Sequence, residues 1–279
     1  MTARDDPPAP ADLDVIAHRG FAGENPENTV AAAVAAADRG ADLVEVDAVP
    51  TASGDVVVFH DDRLAGREGA KGLTDAEGVV WETDTDTVTG AEVLDSGETV
   101  PRLSEVLAAV PAGVGVNVEL KNPGRADLRV GEYLSESALS ERTAVWRPFV
   151  ERVLSVVEDH DNHVLFSSFC EAPLAVVREA SSHPIAPIAY ESVADGTAVA
   201  RRHDAEAIHP SLGAVLGTAG RSGSPDAGLV ATAHAEGRRV NAWTVATWRH
   251  AQRLADAGVD GIIADYSGLL DRWTGRSRT

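Results

Sequence analysis

Short β-branched runs alternate with Ala-rich amphipathic stretches along most of the chain, and this alternation restricts the fold more than any other feature. Residues 15–17 precede a helical stretch from about 26 to 39, with capping chemistry at Asn28-Thr29 and a stop at Gly40. Strands are expected at 43–49 and 56–60, a helix at 103–110 after Pro101, and a strand at 115–120. A helix at 147–160 leads to a strand at 164–169. The series continues with helix 172–181, strand 187–190, helix 195–203 and strand 207–209. Helix 228–237, strand 239–245, helix 247–258, strand 261–264 and a last short helix at 268–273 complete it. Such alternation predicts a parallel sheet with helices outside.

Nine strand-like runs are one too many for an eight-stranded barrel, but two of them cannot be parallel neighbours. Only the turn-rich residues 50–55 separate Val49 from Val56, and a parallel crossover needs about a dozen residues. These two runs therefore form a hairpin. A turn centred near Ser53-Gly54 brings His60 opposite Asp47. Eight strands remain, and the fold class is α/β, a (β/α)8 TIM barrel. The length of 279 residues suits one barrel, typically about 250 residues. A doubly wound open sheet is the alternative, although no Gly-rich dinucleotide loop follows the first strand. Residues 61–100 break the rhythm. A structureless loop of that length is uncommon in a compact domain, so a small inserted subdomain beside the barrel mouth is expected. Residues 122–146 are expected to be a loop with a short helix. The domain reading is a disordered tail over 1–12 and a single barrel over 13–279.

Composition narrows the partners. Hydrophobic residues at 44% and charged residues at 24% supply a core and exclude a disordered or fibrous chain. Against 44 Asp and Glu stand 24 Lys and Arg, for a net charge of −20, and the only lysines are Lys71 and Lys121. Such a surface repels nucleic acid and anionic membrane, so neither is expected as a stable partner. The acidic excess resembles that of halophilic proteins. A GC-rich genome, in which Arg displaces Lys, would give a similar balance. The lone Cys170 permits no intrachain disulfide and lies in a strand-like run, which predicts a buried inert thiol. The N-terminal stretch has no basic segment followed by an apolar one, and no run of about 20 apolar residues occurs. The expectation is a cytoplasmic protein. Nothing in the sequence indicates its oligomeric state.

In a barrel of this kind the active site lies at the carboxyl ends of the strands. Polar residues gather there: His18-Arg19-Gly20, Glu45-Val46-Asp47, Phe59-His60-Asp61, Asn117-Val118-Glu119-Leu120-Lys121, Ser167-Ser168, His209, Asn241-Ala242-Trp243-Thr244 and Asp265. Residues two apart on a strand share a face. Glu45 and Asp47 therefore point together, as do Asn117, Glu119 and Lys121. Three carboxylates in one barrel mouth cannot all stay ionised without a partner. One divalent cation resolves this, and an all-oxygen donor set selects Mg²⁺ or Ca²⁺. His163, His209 and His234 carry no such signal individually.

The motifs His18-Arg19-Gly20, Glu27-Asn28-Thr29, Glu45-Val46-Asp47, Val58-Phe59-His60-Asp61, Glu119-Leu120-Lys121 and Asn241-Ala242-Trp243-Thr244 occur in this order. In order and spacing, from about residue 14 to 270, the chain resembles the glycerophosphodiester phosphodiesterase family. That family is a (β/α)8 barrel with a small insertion after the second histidine motif. The resemblance implies metal-dependent hydrolysis of a small-molecule glycerophosphodiester to glycerol phosphate and an alcohol. It implies that Glu45, Asp47 and Glu119 ligate the metal and that His18 and His60 are the general acid and base. It further implies that Arg19 and Lys121 contact the phosphate and that Trp243 lines the pocket near the glycerol end, with Ser168 and Asn28 in support. The first nucleophile it suggests is the glycerol 2-hydroxyl, with direct attack by water as the competing route. The family's last strand commonly ends Thr-Asp, where this chain has Ala264-Asp265. A phospholipase D-like or phospholipase C-like enzyme on the same barrel is the alternative activity, and a non-catalytic binding barrel a third.

Overall fold

A computed structural model describes residues 13–66, 72–217 and 228–270. The strands are β1 (Asp14–Ala17), β2 (Leu43–Pro50), β3 (Val56–Val58), β4 (Gly115–Leu120), β5 (Val164–Ser168), β6 (Ile185–Ala189), β7 (Ala207–Pro210), β8 (Arg239–Val245) and β9 (Gly261–Ala264). All except β3 run parallel to their neighbours, in the order β1-β2-β4-β5-β6-β7-β8-β9, and β1 pairs with both β2 and β9. This double pairing closes the ring, so the fold is the eight-stranded barrel and not the open sheet.

β3 stands outside the ring. It pairs antiparallel with the upper half of β2, with Ala48 opposite Val58 and Pro50 opposite Val56. The expected hairpin is present, but its register differs by one residue, because Phe59 N donates to Asp47 O at 2.9 Å. The turn is centred on Ser53, closed by Thr51 N to Asp55 O and Gly54 N to Thr51 O, each at 2.9 Å. A centre half a residue later would have put His60 opposite Asp47.

The α-helices among the described residues are α1 (Val30–Asp38), α2 (Thr85–Thr89), α3 (Leu103–Ala109), α4 (Glu136–Glu158), α5 (Glu171–Ala180), α6 (Val193–Arg202), α7 (Leu212–Leu216), α8 (Leu229–Ala235) and α9 (Trp248–Asp256), with short 3-10 turns at His18–Gly20 and Val80–Glu82. Thr29 caps α1 through Oγ1, which accepts from Ala32 N at 3.1 Å. Helix α4 begins well before the expected 147. Its buried residues Thr143, Trp146, Phe149, Val150, Val153, Leu154 and Val157 keep a helical period straight through Pro148. Residues 136–146 of this helix lie in the stretch 122–146 expected to be a loop with a short helix. Helix α7 was not expected, and strand β6 starts two residues before 187. The expected tail 1–12, and residues 271–273 of the expected last helix, lie outside the described residues, while 267–270 form a turn.

Two apolar layers follow from strand alternation. The outward residues Val44, Val46, Ala48, Val116, Val118, Val164 and Phe166 pack with the helices in the main core. A separate small cluster of Leu165, Ala186 and Ala207, with Leu43 against it, sits inside the ring. Each of these four lies two residues before Ser167, Ile188, His209 or Glu45, so all eight side chains share the inner face. Between β3 and α3, Leu64, Val80, Val88, Ala91, Val93 and Val100 form a third cluster with Val49, Val57 and Phe59 of the hairpin. Among the described residues no helix is long and apolar enough to cross a membrane.

Candidate active site

The first strand delivers His18 and Arg19 through a tight left-handed turn. Arg19, Gly20 and Phe21 have φ of 50°, 76° and 62°. A Cβ at Gly20 would come within 2.7 Å of the Ala32 backbone on α1, so only glycine fits there. Arg19, held in a conformation unusual for a side-chain-bearing residue, donates N–H to Glu45 Oε2 at 2.9 Å. Its guanidinium bonds Glu27 Oε1 at 2.8 Å and lies 3.3 Å from Asp47 Oδ2.

β2 and β4 supply the acidic centre. Their register sets Glu45 beside Asn117 and Asp47 beside Glu119. Oxygens of Glu45, Asp47 and Glu119 lie within 4.8 Å of one another, and all three residues are buried. Lys121 Nζ is 3.0 Å from Glu119 Oε1 and 3.7 Å from Asp47 Oδ1. Asn28, itself at φ 60°, clasps Asp47 twice: Nδ2 donates to Oδ2 at 2.8 Å, and Oδ1 accepts from Asp47 N at 3.2 Å.

These contacts divide the carboxylates. Burial, followed by the charges of Asp47 and Glu119, pushes the Glu45 carboxyl well above its usual range. Burial acts on Asp47 in the same sense, but Lys121, His60, Arg19 and the Asn28 hydrogen bond outweigh it and hold the group below its usual range. Burial opposes the charge on Lys121 too, and Glu119 and Asp47 outweigh it, raising the ammonium. Glu45 Oε1 is buried without a hydrogen-bond partner. An unpartnered carboxylate oxygen within an all-oxygen cluster fits a hard divalent cation.

Both histidines are backed by carboxylates. His18 Nδ1 lies 2.7 Å from Asp265 Oδ1, and His60 Nδ1 lies 2.6 Å from Asp61 Oδ1. A carboxylate only accepts, so each Nδ1 carries the proton and each Nε2 is left for chemistry. Both residues line one cavity of about 110 Å³, together with Glu45, Glu119, Lys121 and Trp243. The Trp243 ring meets Phe169 edge-on at 5.3 Å, and Lys121 Nζ sits 5.7 Å from the Phe169 ring centre. A second cleft of about 380 Å³ opens from the first, sharing His60, Glu119, Lys121 and Phe169 and bounded by Asp61, Asp62, Arg63, Leu128 and Val130.

All eight residues singled out from the sequence therefore meet at this mouth. Ser168 does not reach the cavity. Its Oγ donates to Leu120 O at 2.9 Å and accepts from Cys170 N at 3.1 Å. Its neighbour Ser167 lines the cavity instead. Cys170 is buried, and burial, assisted by Glu119, pushes its thiol up to about 12, which makes it no nucleophile. Sequence reasoning gave no role to Glu27, Asp61 or Asp265, although the first two stand inside the quoted motifs and the third at a strand end. It likewise gave none to His209, which is fully buried and lines the cavity.

A closed barrel whose mouth gathers carboxylates, cationic side chains and paired histidines around one small cavity suits a hydrolase acting on phosphoric diesters. The model of the glycerophosphoryl diester phosphodiesterase family matches residues 18–269, and the chain belongs to that family. A glycerophosphodiester phosphodiesterase of Caldanaerobacter subterraneus is 28% identical over 259 residues, covering 90% of this chain and 93% of its own. One from Bacillus altitudinis is 26% identical over 260 residues, covering 90% and 94%. A solved phosphodiesterase of Oleispira antarctica, in complex with the product sn-glycerol-3-phosphate, superposes with a TM-score of 0.75 at 23% identity, over 95% of this chain and 97% of that one. The reaction is hydrolysis of a glycerophosphodiester to glycerol phosphate and an alcohol.

Proposed function

We propose that this hydrolysis uses His18 and His60 as general base and general acid at one cavity, with Arg19 and Lys121 holding the phosphate charge. The observation that carries the reading is the pair of carboxylate-backed histidines facing the same cavity as the Glu45-Asp47-Glu119 cluster. These three carboxylates would hold one divalent cation, Mg²⁺ or Ca²⁺, which when bound supplies charge neutralisation to the phosphoryl group. His18 Nε2 takes the proton of the attacking hydroxyl, of the glycerol itself or of water. As the new P–O bond forms, the bond to the alcohol breaks, and a doubly protonated, cationic His60 gives its Nε2 proton to the departing oxygen. Where the glycerol hydroxyl attacks, the cyclic phosphate it forms is then opened by water. His60 Nε2 takes the water's proton and His18 returns one to the glycerol oxygen, so that one water is consumed. His60 also lines the outer cleft, which His18 does not, and this supports its role on the alcohol side. Asp265 and Asp61 each accept from a ring Nδ1 and so fix both rings with Nε2 left for the proton transfers. Phe169 and Trp243 wall the site with aromatic surface. The sn-glycerol-3-phosphate in the Oleispira antarctica structure supports glycerol phosphate as the product.

The test is a panel of glycerophosphodiesters assayed for glycerol phosphate release with Mg²⁺, Ca²⁺ or Mn²⁺. His18→Ala and His60→Ala should each lower turnover by roughly 10²–10⁴-fold with unchanged thermal melting. Full activity in either would remove that residue from the mechanism. Chelator should abolish turnover, and adding Mg²⁺ or Ca²⁺ should raise the melting temperature of the wild type but not of Glu119→Ala.

A further inference from the structure

The inner cavity has a polar floor that the acid–base machinery does not use. Ser167, Asn117 and His209 are each at most 1% exposed, and all three line the cavity. Ser167 Oγ, Asn117 Oδ1 and His209 Nδ1 have no hydrogen-bond partner among the described residues. Buried polar atoms are almost always paired, with protein, water or ligand, so three on one small cavity offer hydrogen-bonding places that a ligand's hydroxyls can take over from water. Their chemistry is mixed. Asn241 Nδ2 sits 3.1 Å from His209 Nε2 and donates to it, which leaves the ring proton on Nδ1 as a free donor. Asn117 Oδ1 accepts, and Ser167 Oγ does either. Ile188 and Ile263 add apolar wall beside them. Burial holds the His209 imidazole down to about 3, so it stays neutral and adds no charge.

We propose that Ser167, Asn117 and His209 form a hydroxyl-recognition subsite that takes the vicinal diol of the substrate's glycerol half. Each diol hydroxyl donates and accepts, and the floor offers one donor, one acceptor and one group of both kinds. The carbon chain lies along Ile188 and Ile263, and the phosphate sits above, at Arg19 and Lys121. A phosphodiester without the hydroxyls leaves the three floor atoms unpaired and binds less well. The assignment rests on the phosphodiesterase reading above and adds to it how the chain selects glycerol.

The experiment compares two monoesters that differ only in the diol, sn-glycerol 3-phosphate and n-propyl phosphate. Their binding to the full chain in saturating Mg²⁺ or Ca²⁺ is measured by titration calorimetry, which needs no turnover. The wild type should bind the glycerol ester at least about tenfold more tightly. Ser167→Ala removes a single oxygen and should cut that preference to about threefold or less, as should His209→Leu. Equal binding of both monoesters by the wild type overturns the subsite. So does a preference that survives Ser167→Ala in a protein that melts normally, whatever the folding of His209→Leu. Absence of glycerol phosphate release from every diester in the activity panel would instead overturn the phosphodiesterase reading.

Discussion

At the scale of single residues, the site depends on partners two shells deep in contact but far apart in sequence. His18 and Asp265 are 247 positions apart and 2.7 Å apart in space. Asp265→Asn keeps the shape but replaces the acceptor that fixes the His18 tautomer. We expect kcat to fall by roughly 10²-fold, with a displaced pH–rate profile and near-normal folding. His209 gives a second prediction. Its side chain is neutral in the fold and titrates near 3, against 6.5 in the open chain. Below pH 6.5 the unfolded state takes up a proton that the folded state refuses until about pH 3. The stabilisation is therefore complete above 6.5 and is lost as the pH falls towards about 3, at about 1.4 kcal/mol per pH unit. Urea unfolding from pH 7 to 4 should show this slope in the wild type and a shallower one in His209→Leu. The metal-ligand candidates were legible because Glu-x-Asp and Asn-x-Glu-x-Lys put like residues on one strand face at strand ends. His209 was not, because a lone histidine in a strand has no pattern to set it apart. Ser167 was missed for its neighbour Ser168, since a one-residue difference on a strand reverses the face.

At the scale of elements, the segment from β4 to α4 shapes the outer cleft and is anchored at its far end. Leu128 and Val130 line that cleft. Gly131 N donates to Phe169 O at 2.8 Å. Three residues after Gly131, Leu134 N donates to Glu171 at the start of α5 at 2.6 Å, and Glu171 also accepts from Arg202 Nη1 at 2.9 Å and lies 2.9 Å from His203 Nε2. Burial works against the Glu171 charge, and His203, Leu134 N and Arg202 outweigh it, holding the carboxyl below its usual range. Glu171→Gln weakens three contacts at once. Unfolding stability should drop by about 1–3 kcal/mol, and amide exchange at Leu134 should quicken, as seen by denaturation and hydrogen exchange. The order of strands and helices was legible from the change of hydrophobic period, and the hairpin from the shortness of its turn. Helix α4 was only half legible, because its charged first half masks an apolar stripe that packing makes continuous. The one-residue hairpin register depends on turn hydrogen bonds that composition does not reveal.

At the scale of the whole molecule, eight strands and an excess of 20 negative charges set different properties. Eight parallel strands were legible once the short turn at 50–55 made two of the nine runs a hairpin, but closure against an open sheet rests on the pairing of β1 with both β2 and β9. The charge says nothing about the fold, but it predicts behaviour in salt. Screening should relieve self-repulsion, since at 1 M salt charges interact over only about 3 Å. The melting temperature should rise steadily as KCl goes from 0.1 M to the molar range, about 1 kcal/mol or more of added stability. A flat response would instead leave the acidity to genome composition. The apolar plug of Leu43, Leu165, Ala186 and Ala207 has a kinetic consequence. Among the described residues these side chains lie one layer below Glu45, Ser167, Ile188 and His209, so apolar packing closes the inner cavity on the side away from the outer cleft. With the diester bound as proposed above, an alcohol in the outer cleft stands between the glycerol half and the open mouth. On that placement the alcohol is expected to depart first and glycerol phosphate last. Steady-state inhibition should show this queue: glycerol phosphate competes with the diester, whereas the free alcohol inhibits noncompetitively.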